Sequence, residues 1–321
     1  MAPKNILKKR EINKVFQAAI KKETGKKARY PDKVTIPFRN EMATNSPRDI
    51  EDIPIGLIRL RKNNGRIATE VTTWEKENWP IDENSVEGQD KLLEFLSNKD
   101  RSINITLKKS IEKFGQKDEA IITCDGFLIN GNRRRKALEI LYETTSEEKY
   151  KYMKVVFLPS GDNDDFGRGE KPTLIEIQQI EYACQVQATG KSDYSRINTA
   201  LLYKKNEEMG FGLEAQLKND PQYSHLPEKL FDKEVERINK EYLLPLEEVD
   251  AYLNYFERAE QYTSVSQQAG HDEGRWEAFF DWTKVYRTRL KYVNKLSQLG
   301  LTKSQVPKIK KIAIKIMRKK E

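Results

Sequence analysis

Three consecutive arginines follow a glycine in the stretch Asn130-Gly131-Asn132-Arg133-Arg134-Arg135, directly after the short apolar run Phe127-Leu128-Ile129. Beyond Gly131, the apolar residues Ala137, Leu138 and Leu141 share one helical face, which puts the arginines in the first turn of a helix. Arginine there opposes the helix macrodipole, which favours negative charge at an N-terminus. The same place suits an anion, because free backbone N–H groups, the dipole and guanidinium forks would act on it together. On the residues alone, a solvated basic turn of a lysine-rich protein is the alternative.

The elements that must position this turn read as follows. Leu107, Ile111 and Phe114 recur at helical spacing and stop at Gly115, so 107–114 is expected as an amphipathic helix. Ala120–Thr123 and Phe127–Ile129 are apolar, and Asp125-Gly126 between them suits a tight hairpin turn. Residues 53–71 suggest a strand and a turn, and 89–96 a helix. Residues 152–158 read as a strand, 174–186 as a helix and 195–209 as another.

Leu107–Leu141 resembles the core of the ParB/sulfiredoxin-like domain of ParB partition proteins. The resemblance is carried by Ser110-Ile111, Gly115, Gly131-x-Arg133-Arg134 and Ala137, in that order. It implies an α+β ParB-like domain over 51–210 that holds the triphosphate of CTP, with Mg²⁺, at Gly131, Asn132, Arg133, Arg134 and Arg135. Ser110, Gly115 and Gln187 would belong to the same site. Asn63, Asn64 and Arg66 are counterparts of an Asn…Arg element after the family's first strand, although Asn-Asn-Gly-Arg is also simply a good turn.

The departures matter as much. Where ParB proteins carry an acidic residue and an asparagine tied to metal and hydrolysis, this chain has Cys184 and Gln185, neither of which supplies a carboxylate to Mg²⁺. Glu181, one turn earlier, is the candidate substitute. The expectation is nucleotide binding with weak or absent turnover. Sulfiredoxin chemistry is excluded, because Asn132 stands where its catalytic cysteine would be. An EF-hand in 162–173 also fails, since Phe166 and Thr173 occupy ligand positions.

The chain of 321 residues is long enough for two domains, with a mean hydropathy of −0.80. No apolar run approaches the roughly 18 residues of a membrane span, and no secretory h-region opens it. The two cysteines read as reduced core residues, so a cytosolic protein is expected, nucleoid-associated if it is DNA-bound. Its net charge of +8 is uneven: +8 in residues 1–30, +7 in 301–321 and −7 between. A basic arm and linker are expected over 1–50 and a basic amphipathic helix over 301–321. Lys8, Lys9, Arg10, Lys310, Lys311 and Arg318 are the candidate DNA contacts. For the C-terminal helix, a partner surface or an anionic membrane face stays open.

Residues 211–300 are expected as an all-helical domain, in the place where ParB proteins carry a helix-turn-helix. Lys233, Arg237 and Lys240 have the spacing of a reading face, but Asp232, Glu234, Glu236 and Glu241 oppose deep docking on phosphates. The aromatic cluster Trp276, Phe279, Phe280, Trp282 and Tyr286 reads first as core. The favoured function is a DNA-associated protein, with homodimer closure around DNA as the family does. A nuclease using Asp125 or Glu181 is one alternative. A non-enzymatic adaptor bound to a protein partner in a DNA-modification or phage-defence complex is the other.

Overall fold

The computed structural model describes residues 33–39, 41–98, 101–161, 169–186, 195–220, 223–266 and 275–318. Lys8, Lys9, Arg10 and Gln187 lie outside them. The chain is mixed α+β and mostly helical. It forms two compact units. The first holds residues 1–67, 81–193 and 218–222; the second holds 68–80, 194–217 and 223–321. Residues 68–80 and 194–210, assigned from sequence to the first domain, thus belong to the second unit. Their apolar residues explain this: Ala68, Ile197, Ala200 and Leu201 pack into the second core.

The first unit is built on a three-stranded sheet in the order β3 (Glu51–Pro54), β5 (Tyr152–Phe157), β4 (Ala120–Ile122). β3 runs antiparallel to β5, with Ile53 opposite Met153, and β4 runs parallel to it, with Ile122 opposite Phe157. A parallel pair needs a crossover, and the helix Asn132–Thr145 lies within it. Side chains alternate across the pleat. Ala120, Ile122, Met153, Val155 and Phe157 face one core with Ala137, Leu138 and Leu141 of the crossover helix. Ile121, Val156 and Leu158 face the other, against Ile177, Ile180 and Cys184 of the helix Leu174–Val186.

Residues 31–50, read as linker, are built into this second core over their described part. Two short strands, β1 (Lys33–Val34) and β2 (Arg48–Asp49), pair antiparallel, and Ile36, Phe38 and Ile50 are buried. Arg48 lies over the Phe38 ring and forms an ion pair with Glu41. Pro37 and Pro47 sit between these anchors.

The second unit is helical. The helices Ala68–Glu77, Arg196–Glu208, Leu244–Tyr255, Trp276–Val285 and Val306–Arg318 bring together a core containing Leu201, Val249, Tyr252, Trp276, Phe279, Ile314 and Met317. Ser195 caps one of these, accepting from Asn198 N at 3.4 Å. Of the aromatic cluster, Trp276 and Phe279 are core, Phe280 and Trp282 pack against it and Tyr286 stacks on Trp282; Tyr252 and Phe279 meet edge-to-face at 5.3 Å. The helix Glu228–Ile238 runs through a π-helical turn, Asn239–Leu243, directly into Leu244–Tyr255. Arg237 is held by Glu234 and Glu241 at 2.8 and 2.6 Å, and Lys240 by Glu236 at 2.5 Å. Two of the three candidate reading cations are therefore tied to acids of their own helix. Among the described residues, no helix is long and apolar enough to cross a membrane.

Candidate functional site: the arginine turn

The hairpin before the turn returns the chain to the start of β4. Gly126 has φ 89°, and its N–H donates to Thr123 O at 2.9 Å. Ile129 N donates to Ile121 O at 2.8 Å, and the next rung is made by a side chain: Ile121 N donates to Asn130 Oδ1 at 2.7 Å. Asn130 is buried, so its side chain replaces a strand bond. Gly131 then turns the chain into the helix, as its N-cap at φ 89° and ψ 11°. A Cβ there would lie 2.9 Å from Ala120 Cβ and 3.0 Å from Met153 Cε. Glycine is needed both for the left-handed backbone and for the close approach to the sheet. As a glycine, this N-cap has no side chain with which to cap the helix end.

The arginines do not converge. Successive helical side chains are about 100° apart, and these go separate ways. Arg134 is turned to the 118 loop, where its guanidinium donates to Asp118 O and lies 4.0 Å from the Asp118 carboxylate. Burial lowers its pKa, with Asp118, Cys184 and Glu119 acting in the opposite sense. Arg135 is buried, 7% exposed, and its Nε and Nη1 have no hydrogen-bond acceptor. Its nearest carboxylate, Glu139, is 4.0 Å away. Burial lowers this pKa as well, offset in part by Glu139 and Asp90. An arginine stays charged in proteins nonetheless, so Arg135 is a desolvated cation with unused donors. Arg133 is half-buried in the same turn, and Asn132 carries a buried Oδ1 without a donor, an acceptor suited to a hydroxyl or amino group.

A second polar cluster occupies the same unit. Glu181, 2% exposed, accepts from Gly65 N at 3.0 Å and pairs with Arg61 Nη1 at 3.6 Å. Arg61 Nη1 and Asn64 Nδ2 are buried without hydrogen-bond acceptors, and Gln178 Oε1 without a donor. The helix Val86–Asn98 packs against both the Gly65–Ile67 turn and the crossover helix. Its Gln89 side chain bonds Leu60 through both N–H (2.7 Å) and C=O (2.9 Å), which fixes the strand-like segment carrying Arg61.

Other candidates are placed differently. Gly115, at φ 72°, closes the helix Arg101–Phe114 through its N–H to Ile111 O at 2.8 Å, and nothing lies within 4 Å of a Cβ there. It is a helix C-cap. Ser110 is half-buried on that helix, which packs against the crossover helix. Asp125 accepts from its neighbour Thr123 Oγ1, and its carbonyl accepts from Arg59 at 2.5 Å, while Arg59 covers the Phe127 ring at 4.5 Å. Glu181 and Asp125 are thus both occupied by structural partners. Among the described residues, no three His, Cys, Asp or Glu side chains gather to hold a metal ion. Lys310 is engaged by Glu248 at 2.9 Å, and Arg318 lies over the Phe256 ring at 4.5 Å; Lys311 is exposed.

Sequence reasoning missed Arg61, Asn130, Gln178 and Gln89. The signal present for Arg61 and Gln89 was a polar residue inside an apolar pattern, Ile-Arg-Leu-Arg and Gly-Gln-Asp-Lys-Leu-Leu. Neither string says which of its polar residues turns inward. Comparison with family models, curated proteins and solved structures gives no match to this chain.

Proposed function

We propose that this chain is a ParB-like, DNA-associated protein whose first unit binds an anionic phosphate ligand at the Gly131–Arg135 turn. The ligand is the triphosphate of a CTP-type nucleotide with its Mg²⁺, or the phosphate of nucleic acid. The observation that carries the reading is Arg135, a residue of the first turn after Gly131 whose buried guanidinium has no hydrogen-bond acceptor at Nε or Nη1. A buried unpaired donor costs about 1–3 kcal/mol, a cost that an arriving phosphate oxygen would relieve. Arg133 and the first-turn N–H groups would share the anion, and Asn132 Oδ1 would accept from a sugar or base. Cys184 and Gln185, which bring no carboxylate, favour binding without efficient hydrolysis, and Glu181 is held by Gly65 through one oxygen and faces Arg61 with the other.

Calorimetric titration with CTP, ATP, GTP and UTP plus Mg²⁺, with and without duplex DNA, tests this. Binding of one nucleotide, lost in a folded Arg133→Ala variant, is the expected result. Undiminished binding in that variant removes the site assignment. The nuclease alternative has less support, since Asp125 is spent on its own turn.

A further inference from the structure

Residues 282–318 contain eleven Lys and Arg and not one Asp or Glu. Out of the chain's total of +8, residues 1–30 balance to +8 and 319–321 to +1, which leaves −12 for 31–281. A carboxylate-free run of this length is therefore out of character with the folded chain around it. Nine of these cations fall into two groups, and Lys284 and Lys303 are also exposed. Arg287, Lys310 and Arg318 are used internally: Arg287 pairs with Glu247, Lys310 pairs with Glu248, and Arg318 covers Phe256. Arg289, Lys291, Lys295, Lys308, Lys311 and Lys315 are exposed, and among the described residues no carboxylate lies within ion-pair distance of them. Lys308, Lys311 and Lys315 follow one another at spacings of three and four, which aligns them along one stripe of the helix Val306–Arg318.

We infer that the second unit carries a nucleic-acid backbone-binding surface made by Arg289, Lys291, Lys295, Lys308, Lys311 and Lys315. This inference stands apart from the arginine turn and does not rest on it. The ligand class follows from the charge pattern. Exposed cations spread singly over a π-helical turn and two helices match a polymer that presents about one negative charge per 1.7 Å of its axis better than a single carboxylate. A lipid surface is the weaker fit. A membrane-surface helix needs its apolar side whole, whereas Ile314 and Met317 of this helix are packed in the unit's core. Ile312 and Ile316 are the exposed large apolar residues left on this helix, two neighbours one turn apart. Binding of this kind fixes the protein on the backbone and carries no base sequence.

The test uses the full chain with fluorescently labelled duplexes of two unrelated sequences, titrated across a salt series. Two variants, Lys308/Lys311/Lys315→Gln and Arg289/Lys291/Lys295→Gln, are compared with wild type, and far-UV circular dichroism verifies the fold. All six positions are exposed, so the variants should fold. The expected result is equal affinity for both sequences and at least about tenfold weaker binding in each variant. The slope of log affinity against log salt should flatten by about 0.9 for each phosphate that a variant no longer neutralises. Wild-type affinity and slope in both variants would overturn the inference. So would binding to phosphatidylserine vesicles with none to duplex. Nucleotide titration of the same two variants should match wild type, so failure of this surface and failure of the arginine turn are read separately.

Discussion

Arg135→Met separates a binding residue from a structural one, because the two roles give opposite signs in the protein without ligand. In the folded chain the guanidinium has two donors, Nε and Nη1, buried without acceptors, and its ion pair with Glu139 is a long one at 4.0 Å. Glu139 also has Lys136 at 3.4 Å, so it does not depend on Arg135. Two unpaired donors cost about 1–3 kcal/mol each, against about 1 kcal/mol or less for a long i,i+4 pair whose carboxylate keeps Lys136. Replacing a buried charge with an apolar side chain of similar length is often neutral or stabilising. The expected change is a gain of about 1–5 kcal/mol without ligand, and about 2–4 °C in Tm per kcal/mol for a domain of this size class. The same variant should lose the stabilisation that the bound nucleotide gives to wild type. Urea unfolding and thermal melts, each with and without nucleotide and Mg²⁺, read both quantities. A variant less stable than wild type that still responds fully to nucleotide would refute the reasoning, and would make Arg135 a structural cation.

The other predictions rest on separate features. Gly131→Ala should lower unfolding stability by about 2–5 kcal/mol, from the left-handed backbone and overpacking against Ala120 and Met153. Gly115→Ala meets nothing within 4 Å and should cost only the backbone part, about 1–2 kcal/mol; equal losses in urea unfolding would show that the approach of Gly131 to the sheet is not tight. Glu181→Gln should destabilise the chain by about 3–5 kcal/mol, because it strands Arg61 as a buried cation. A variant with unchanged urea midpoint would mean that the carboxylate is free for other work. The Arg39 guanidinium, bonded at 2.7 Å, holds the Glu176 carboxyl below its ordinary pKa, with burial opposing and Thr173 assisting. A depressed carboxyl pKa gives stability that is present above the unfolded value and lost as pH falls through the folded one. Arg39→Ala should therefore be less stable than wild type at neutral pH, by less than about 1 kcal/mol for so exposed a pair. The gap should close in acid, and a gap that persists there would remove the pair as its cause.

The sequence by itself determined the local grammar of this chain. The apolar spacing of Ala137, Leu138 and Leu141 makes a helix, Asp125-Gly126 makes a turn, and Gly131 marks the one backbone position between them that another residue would strain. Periodicity and turn chemistry act between near neighbours, so they are written in short strings. The acidic neighbours of Arg237 and Lys240, which oppose docking on phosphates, stand one turn away and pair with them. Only the tertiary structure decided where the charges end up. Three adjacent arginines look like one cluster in a string, yet a helix sends them about 100° apart, so that one meets a loop carbonyl and another is buried. Lys310 and Arg318 look like solvated arms, but the core that takes Ile314 and Met317 brings them against Glu248 and Phe256. Arg61 finds Glu181, a residue far along the chain, only because the sheet and its two faces of helices exist. Such pairings depend on which surfaces pack, a property of the whole fold that short-range spacing does not encode.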